Sequence, residues 1–125
     1  MKVSNPIALV DAYLDAIGGH DYERARHYLA DAGFRYESPI STFTDADDFI
    51  EYLSLSAGIV QRIEPIKVFS DGDDVCHFLR FVVQISDKES VKVAQWARVM
   101  SGRIQQLVLV FDAHLYRVMF DEPKT

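Results

Sequence analysis

Four histidines are candidates for acid–base or metal chemistry, His20, His27, His77 and His114, and they do not show the short-range spacing of metal ligands. Their spacing implies no metal site, and no cofactor is expected. His77 lies in a β run, where its neighbours Cys76 and Phe78 point to the opposite face, so no Cys/His pair arises. It is either a base facing an interior pocket or a satisfied or interfacial histidine. Gln95 stands in an otherwise apolar strand face, and a buried amide costs a few kcal/mol unless something bonds it. Asp112, at the end of the last β run, reads as an anchor for a terminal turn at His114–Tyr116. Tyr13 falls on the apolar face of the first helix, where a core aromatic whose hydroxyl finds one partner is expected. Asp45, Asp47 and Asp48 sit where a helix begins and lack the further ligands of a calcium loop.

The elements that must position these residues are organised around Ser90–Asp112. Two β-branched and aromatic runs flank Ser101-Gly102, the mark of a hairpin. In its first arm Val91, Val93, Gln95, Ala97 and Val99 alternate with Lys92, Ala94, Trp96, Arg98 and Met100. Both faces are largely apolar, so helices are expected on one and a second subunit on the other. Trp96, Arg98, Val108 and Val110 share the face opposite Gln95, which marks them as the interface of a homodimer.

Upstream, Asn5-Pro6 starts a helix whose inward stripe is Ile7, Val10, Tyr13, Leu14 and Ile17. Gly18-Gly19 is expected to end it through the left-handed conformation. Asp21 caps a second helix from Tyr22 to about Ala30, and Phe34–Pro39 reads as a short strand. Thr44–Asp47 opens a third helix that fades near Gly58. After Pro65 come strands at Ile66–Ser70 and Val75–Ser86, with turns at Asp71-Gly72 and at Asp87–Glu89. The order α-α-β-α-β-β-β-β is α+β, with helices on one face of a curved antiparallel sheet.

The 125 residues are read as one domain, with 49% hydrophobic and 26% charged residues. A net charge of −6 argues against a nucleic-acid partner. The lone Cys76 reads as a buried small hydrophobe in a reducing compartment. With no secretory leader pattern and no apolar run long enough for a bilayer, the expectation is a cytoplasmic protein without membrane partners.

The run A-L-V-D-A-Y-L-D-A-I-G-G-H-D-Y-E-R-A-R-H-Y-L-A-D-A-G-F-R-Y-E-S-P and the ending G-R-I-Q-Q-L-V-L-V-F-D resemble the nuclear-transport-factor-2-like (NTF2-like) superfamily. They are most similar to its SnoaL-like and ketosteroid-isomerase-like branches. The resemblance implies a cone-shaped barrel of sheet around a pocket, dimeric through the sheet's outer face. It places the isomerase's phenol donor on Tyr13, its second oxyanion donor on Gln95 and its general base on Ser38. An amide N–H can serve an oxyanion, but a serine hydroxyl cannot take a proton from carbon at neutral pH. His77 is the best replacement base. The limonene-epoxide-hydrolase branch offers an Asp-Arg-Asp template that falls on Asp112, Arg80 and Val82, the last of which cannot orient water. The pocket implied is lined by Tyr13, Ile17, Phe34, Tyr36, Ser38, Phe49, Leu79, Phe81, Gln95, Ala97 and Leu109. It suits a small, mainly apolar molecule bearing a carbonyl or hydroxyl group. The alternatives are an isomerase, cyclase or dehydratase working through an enol-like intermediate with His77 or Asp112 moving the proton, and a dimerisation module with a filled pocket.

Overall fold

A computed structural model describes residues 5–55, 60–83 and 89–112. Helix α1 (Pro6–Gly18) begins as its sequence dictates. The Asn5 side chain accepts from the Ile7 N–H at 2.9 Å, and Pro6 fills the first turn. Its end corrects the expectation for Gly18-Gly19. Gly19 has φ −92°, and the left-handed residue is His20, at φ 62°. The hydrogen bonds explain the displacement. His20 N–H donates to Ile17 O at 3.0 Å and Asp21 N–H to Ala16 O at 2.8 Å. That paired closure is a Schellman turn, which puts the left-handed residue one position after the cap.

Helix α2 (Tyr22–His27) starts on Asp21, whose carboxylate accepts from the Arg24 N–H. It stops short of Ala30 because Leu29 leaves to form a bridge with Ile104. Strand β1 (Arg35–Glu37) ends before Pro39. It pairs with β2 (Thr42–Phe43), an element too short for any periodicity to announce. Helix α3 (Ala46–Leu55) opens with the Asp45 carboxylate accepting from the Asp47 N–H at 2.9 Å. Four strands follow, β3 (Val60–Asp71), β4 (Asp74–Val83), β5 (Glu89–Met100) and β6 (Arg103–Val110). The expected fading of the third helix near Gly58, the turn at Asp87-Lys88 and the terminal turn at His114–Tyr116 lie outside the described residues.

The strand order is β2-β1-β6-β5-β4-β3. Strands β3 to β6 form the expected antiparallel meander, while β1 joins β6 in parallel, so the sheet is mixed and its two edges leave it unclosed. Strand β3 runs through Pro65, where a start was expected only afterwards. As an edge strand it tolerates the missing N–H, with a register shift between Pro65 and Lys67. The β5–β6 turn is Ser101-Gly102, both at positive φ, the backbone a tight hairpin requires. A bulge beside Arg98 and Val99 adds Gln105, so Ile104 and Leu107 both point inward although they are three apart.

One face of the sheet packs on α1. Val75, Leu79, Val93, Ala97, Ile104 and Leu107 are buried there with Leu9, Val10, Tyr13 and Ala16. The other face carries Phe69, Phe78, Trp96 and Val110, all substantially exposed. Cys76 lies on this face and is half-buried, not enclosed as expected. Asp74 ties the expected interface residues together, accepting from Trp96 Nε1 at 2.9 Å and from Arg98 Nε at 3.0 Å. Among the described residues no helix is long and apolar enough to cross a membrane.

Candidate functional site

A cleft of about 740 Å³ opens between α1 and the β3–β4 edge of the sheet. Asp11, Leu14, Asp15 and Gly18 face it from α1, the helical spacing of one surface stripe. Ile63, Pro65 and Val68 contribute from β3, and His77 and Leu79 from β4. Gly18 marks the end of the cleft where the helix meets the sheet, a Cβ there falling 3.7 Å from the Ile63 backbone nitrogen.

The rim is charged and largely self-satisfied. Arg24 donates to Asp15 at 3.1 Å and is held in its charged form by side-chain bonds with Tyr28 and Asp15. Arg62 donates to Glu64 at 2.7 Å, and Arg62 and Arg80 together hold the Glu64 carboxyl below its ordinary range.

The polar feature of the wall is His77. Its side chain is 1% exposed, and Nε2 lies 2.8 Å from Asp11 Oδ1, while Asp11 is 58% exposed. With Asp11 ionised and the imidazole neutral, Nε2 donates to the carboxylate and Nδ1 keeps a lone pair. Nδ1 is buried with no partner among the described residues. The cross-strand neighbour of His77 is Gln95, 2% exposed, which lies behind the cleft wall rather than lining it and whose Nε2 is likewise buried without a partner among the described residues. An acceptor and a donor, both unsatisfied, thus stand on one rung of the sheet.

The other expected site residues occupy different places. Tyr13 is buried but does not line the cleft, and burial, then the neighbouring Tyr36, raises its phenol well above the usual range. Phe34 and Tyr36 both pack on Phe49, with Tyr36 and Phe49 stacked 4.3 Å apart and Phe43 against both of these. Ala97 and Leu109 are in the core, with Ile17 and Phe81 partly buried against it. The Ser38 hydroxyl accepts from the N–H groups of Ile40 and Ser41, bracing the β1–β2 connection. Asp112 is exposed beyond β6. Arg80 pairs with Glu64 at 3.2 Å across β3–β4, on the face opposite His77. Among the described residues no group of three or more His, Cys, Asp or Glu side chains could hold a metal ion.

Asp11 is the residue that sequence reasoning missed. It sits on the polar side of α1, and its partner is 66 positions away. Its one local signal is the stripe with Leu14, Asp15 and Gly18, which a solvated helix face would share.

No family model and no curated protein matches the chain. Solved structures do. The chain superposes on an NTF2-like protein of unknown function from Cytophaga hutchinsonii with a TM-score of 0.76 at 17% identity, covering 93% of this chain and 98% of that one. An LEH-like epoxide hydrolase from M. tuberculosis aligns with a TM-score of 0.78 at 21% identity, over 93% and 90%. A Catenulispora acidiphila protein with a ketosteroid isomerase-like fold, in complex with trimethylamine, aligns with a TM-score of 0.77 at 16% identity, over 92% and 93%. The chain has the NTF2-like α+β fold.

Proposed function

We propose that the protein binds a small, mainly apolar molecule bearing a hydroxyl or carbonyl oxygen, in the cleft between α1 and the β3–β4 edge. The volume is that of a small-molecule site, and Leu14, Ile63, Val68 and Leu79 supply apolar wall. The observation that carries the reading is His77, buried at that wall and held by Asp11. The test is a thermal-shift screen of small cyclic alcohols, phenols and ketones, repeated on Ile63→Trp. A ligand at about a hundred times its Kd stabilises by about 2.7 kcal/mol, which reads as a clear rise in Tm. Shifts in the native protein that vanish in Ile63→Trp support the reading. No shift, or shifts the tryptophan leaves unchanged, would sink it.

The same Asp11–His77 pair favours a second reading, an isomerase, cyclase or dehydratase. A carboxylate that fixes a histidine's tautomer is the arrangement of a general base. Exchange of α-protons of cyclic ketones in D2O, lost in His77→Gln, supports it; exchange at the buffer rate removes it. Neither reading uses the outer sheet face. Its exposed Phe69, Phe78, Trp96 and Val110 suit a second copy of the chain, with Trp96 and Arg98 pre-positioned by Asp74. Sedimentation of a dimer, converted to monomer by Val110→Glu, is the expected result; a monomeric native chain would overturn it.

A further inference from the structure

Resting on the cleft reading, we propose that Asp11, His77 and Gln95 form a hydroxyl-recognition site, in which a ligand O–H donates to His77 Nδ1 and accepts from the Gln95 amide N–H. Three observations lead there. Asp11 Oδ1 lies 2.8 Å from His77 Nε2, and with the ring neutral and that nitrogen donating, the buried Nδ1 is an acceptor. Gln95 is paired with His77 in the β4–β5 register and presents an unsatisfied N–H. Side chains so paired have Cβ atoms about 5 Å apart, close enough to share one atom between them.

A hydroxyl is the group that satisfies both nitrogens at once, being donor and acceptor on one oxygen. A ketone or ether oxygen accepts from Gln95 and leaves Nδ1 without a donor. An amine offers Nδ1 a hydrogen and, once protonated, has no lone pair for Gln95. The pair of orphan atoms therefore selects by chemistry and not by shape. Asp11 is a positioning residue here. It does not touch the ligand oxygen but decides which histidine nitrogen is the acceptor.

The test has two arms on the full chain. Nitrogen-15 NMR of free protein reads the His77 tautomer directly, with Nε2 protonated and Nδ1 bare expected in the native chain and a tautomer mixture in Asp11→Ala. Binding is then measured for phenol, cyclohexanol and 2-naphthol, each against its methyl ether. The hydroxyl compounds should bind about ten-fold tighter or more, since the ether leaves a buried acceptor unpaired. Gln95→Met and Asp11→Ala should each bring the two members of a pair to near parity, chiefly by weakening the hydroxyl compound. Equal binding of each pair to the native protein overturns the hydroxyl site and leaves the cleft reading standing. Binding of none of the six overturns both. A native His77 protonated at Nδ1 overturns the assignment whatever binds.

Discussion

Replacing Gln95 with methionine should make the protein more stable. The Gln95 side chain is 2% exposed and its Nε2 has no partner among the described residues. Unfolded, that N–H bonds to water; folded, no protein group among the described residues takes its place. A buried group left unsatisfied costs about 1–3 kcal/mol. Methionine has nearly the same length and volume, follows the same unbranched path, and brings no hydrogen-bonding group. Removing the orphan should therefore return about 1–2 kcal/mol, after a small loss for imperfect repacking. For a chain of 125 residues each kcal/mol moves Tm by about 4 °C, so the expected rise is about 4–8 °C. Circular dichroism melts and guanidinium titrations measure it, and Gln95→Ala, which leaves a cavity, should move the other way. A Tm lower in Gln95→Met than in the native chain would refute the reasoning, because the amide would then be a contributor to stability. A gain in stability coupled to loss of hydroxyl binding would mark Gln95 as a residue kept for its ligand.

Other perturbations test other parts of the structure. His20→Gly should raise Tm where the left-handed strain of a non-glycine residue, about 1 kcal/mol, outweighs the side chain's contacts, the stacking on Tyr22 among them; a fall in Tm would show that the side chain holds the turn. Tyr13 has its phenol raised in the fold by burial above the ordinary 10.0, so folding favours its neutral form. Stability from this group is full below about pH 10 and falls as pH rises past it, because the unfolded chain releases the proton first. Tyr13→Phe should flatten that alkaline limb in chemical denaturation, and an unchanged slope would place the phenol in contact with water. Asp74 has its carboxyl lowered by hydrogen bonds from Arg98 and then Trp96. Its contribution is present above the ordinary carboxylate pKa and lost as pH falls through the lowered value. Asp74→Asn should weaken the acid dependence of stability, read from melts across that range.

The sheet was legible because its strands obey alternation over many residues. The inward set Val93, Gln95, Ala97 and Val99 and the outward set Trp96 and Arg98 follow from period two alone. The helix starts were legible because Asn5-Pro6 and Asp21 are local chemical signals. What escaped was non-local or very short. Two residues of β2 carry no period, and β1's parallel partner β6 is reached only after most of the chain has passed. The left-handed residue escaped because the Schellman closure counts hydrogen bonds, whereas sequence reasoning counts glycines. Arg80 lay within reach of any acid by sequence; the register that sets it opposite Glu64 is a property of the folded edge.

The interior is divided in a way that explains why the expected aromatic pocket and the cleft do not coincide. Toward β1 and β2, Phe34, Tyr36, Phe43 and Phe49 fill the space with rings, and α3 lies over them. Toward β3 the helical cover is the far turns of α1, whose facing residues are Asp11, Leu14, Asp15 and Gly18. Two of these are acids and one is glycine, so that side cannot close on the sheet as the aromatic side does. His77 and Leu79 are left as wall, and the buried polar rung of His77 and Gln95 borders the half of the fold that stays open. His77 Nδ1 and Gln95 Nε2 have no protein partner among the described residues. The rung's position beside the open half, with Asp11 on the rim, is the arrangement on which the proposed hydroxyl site rests.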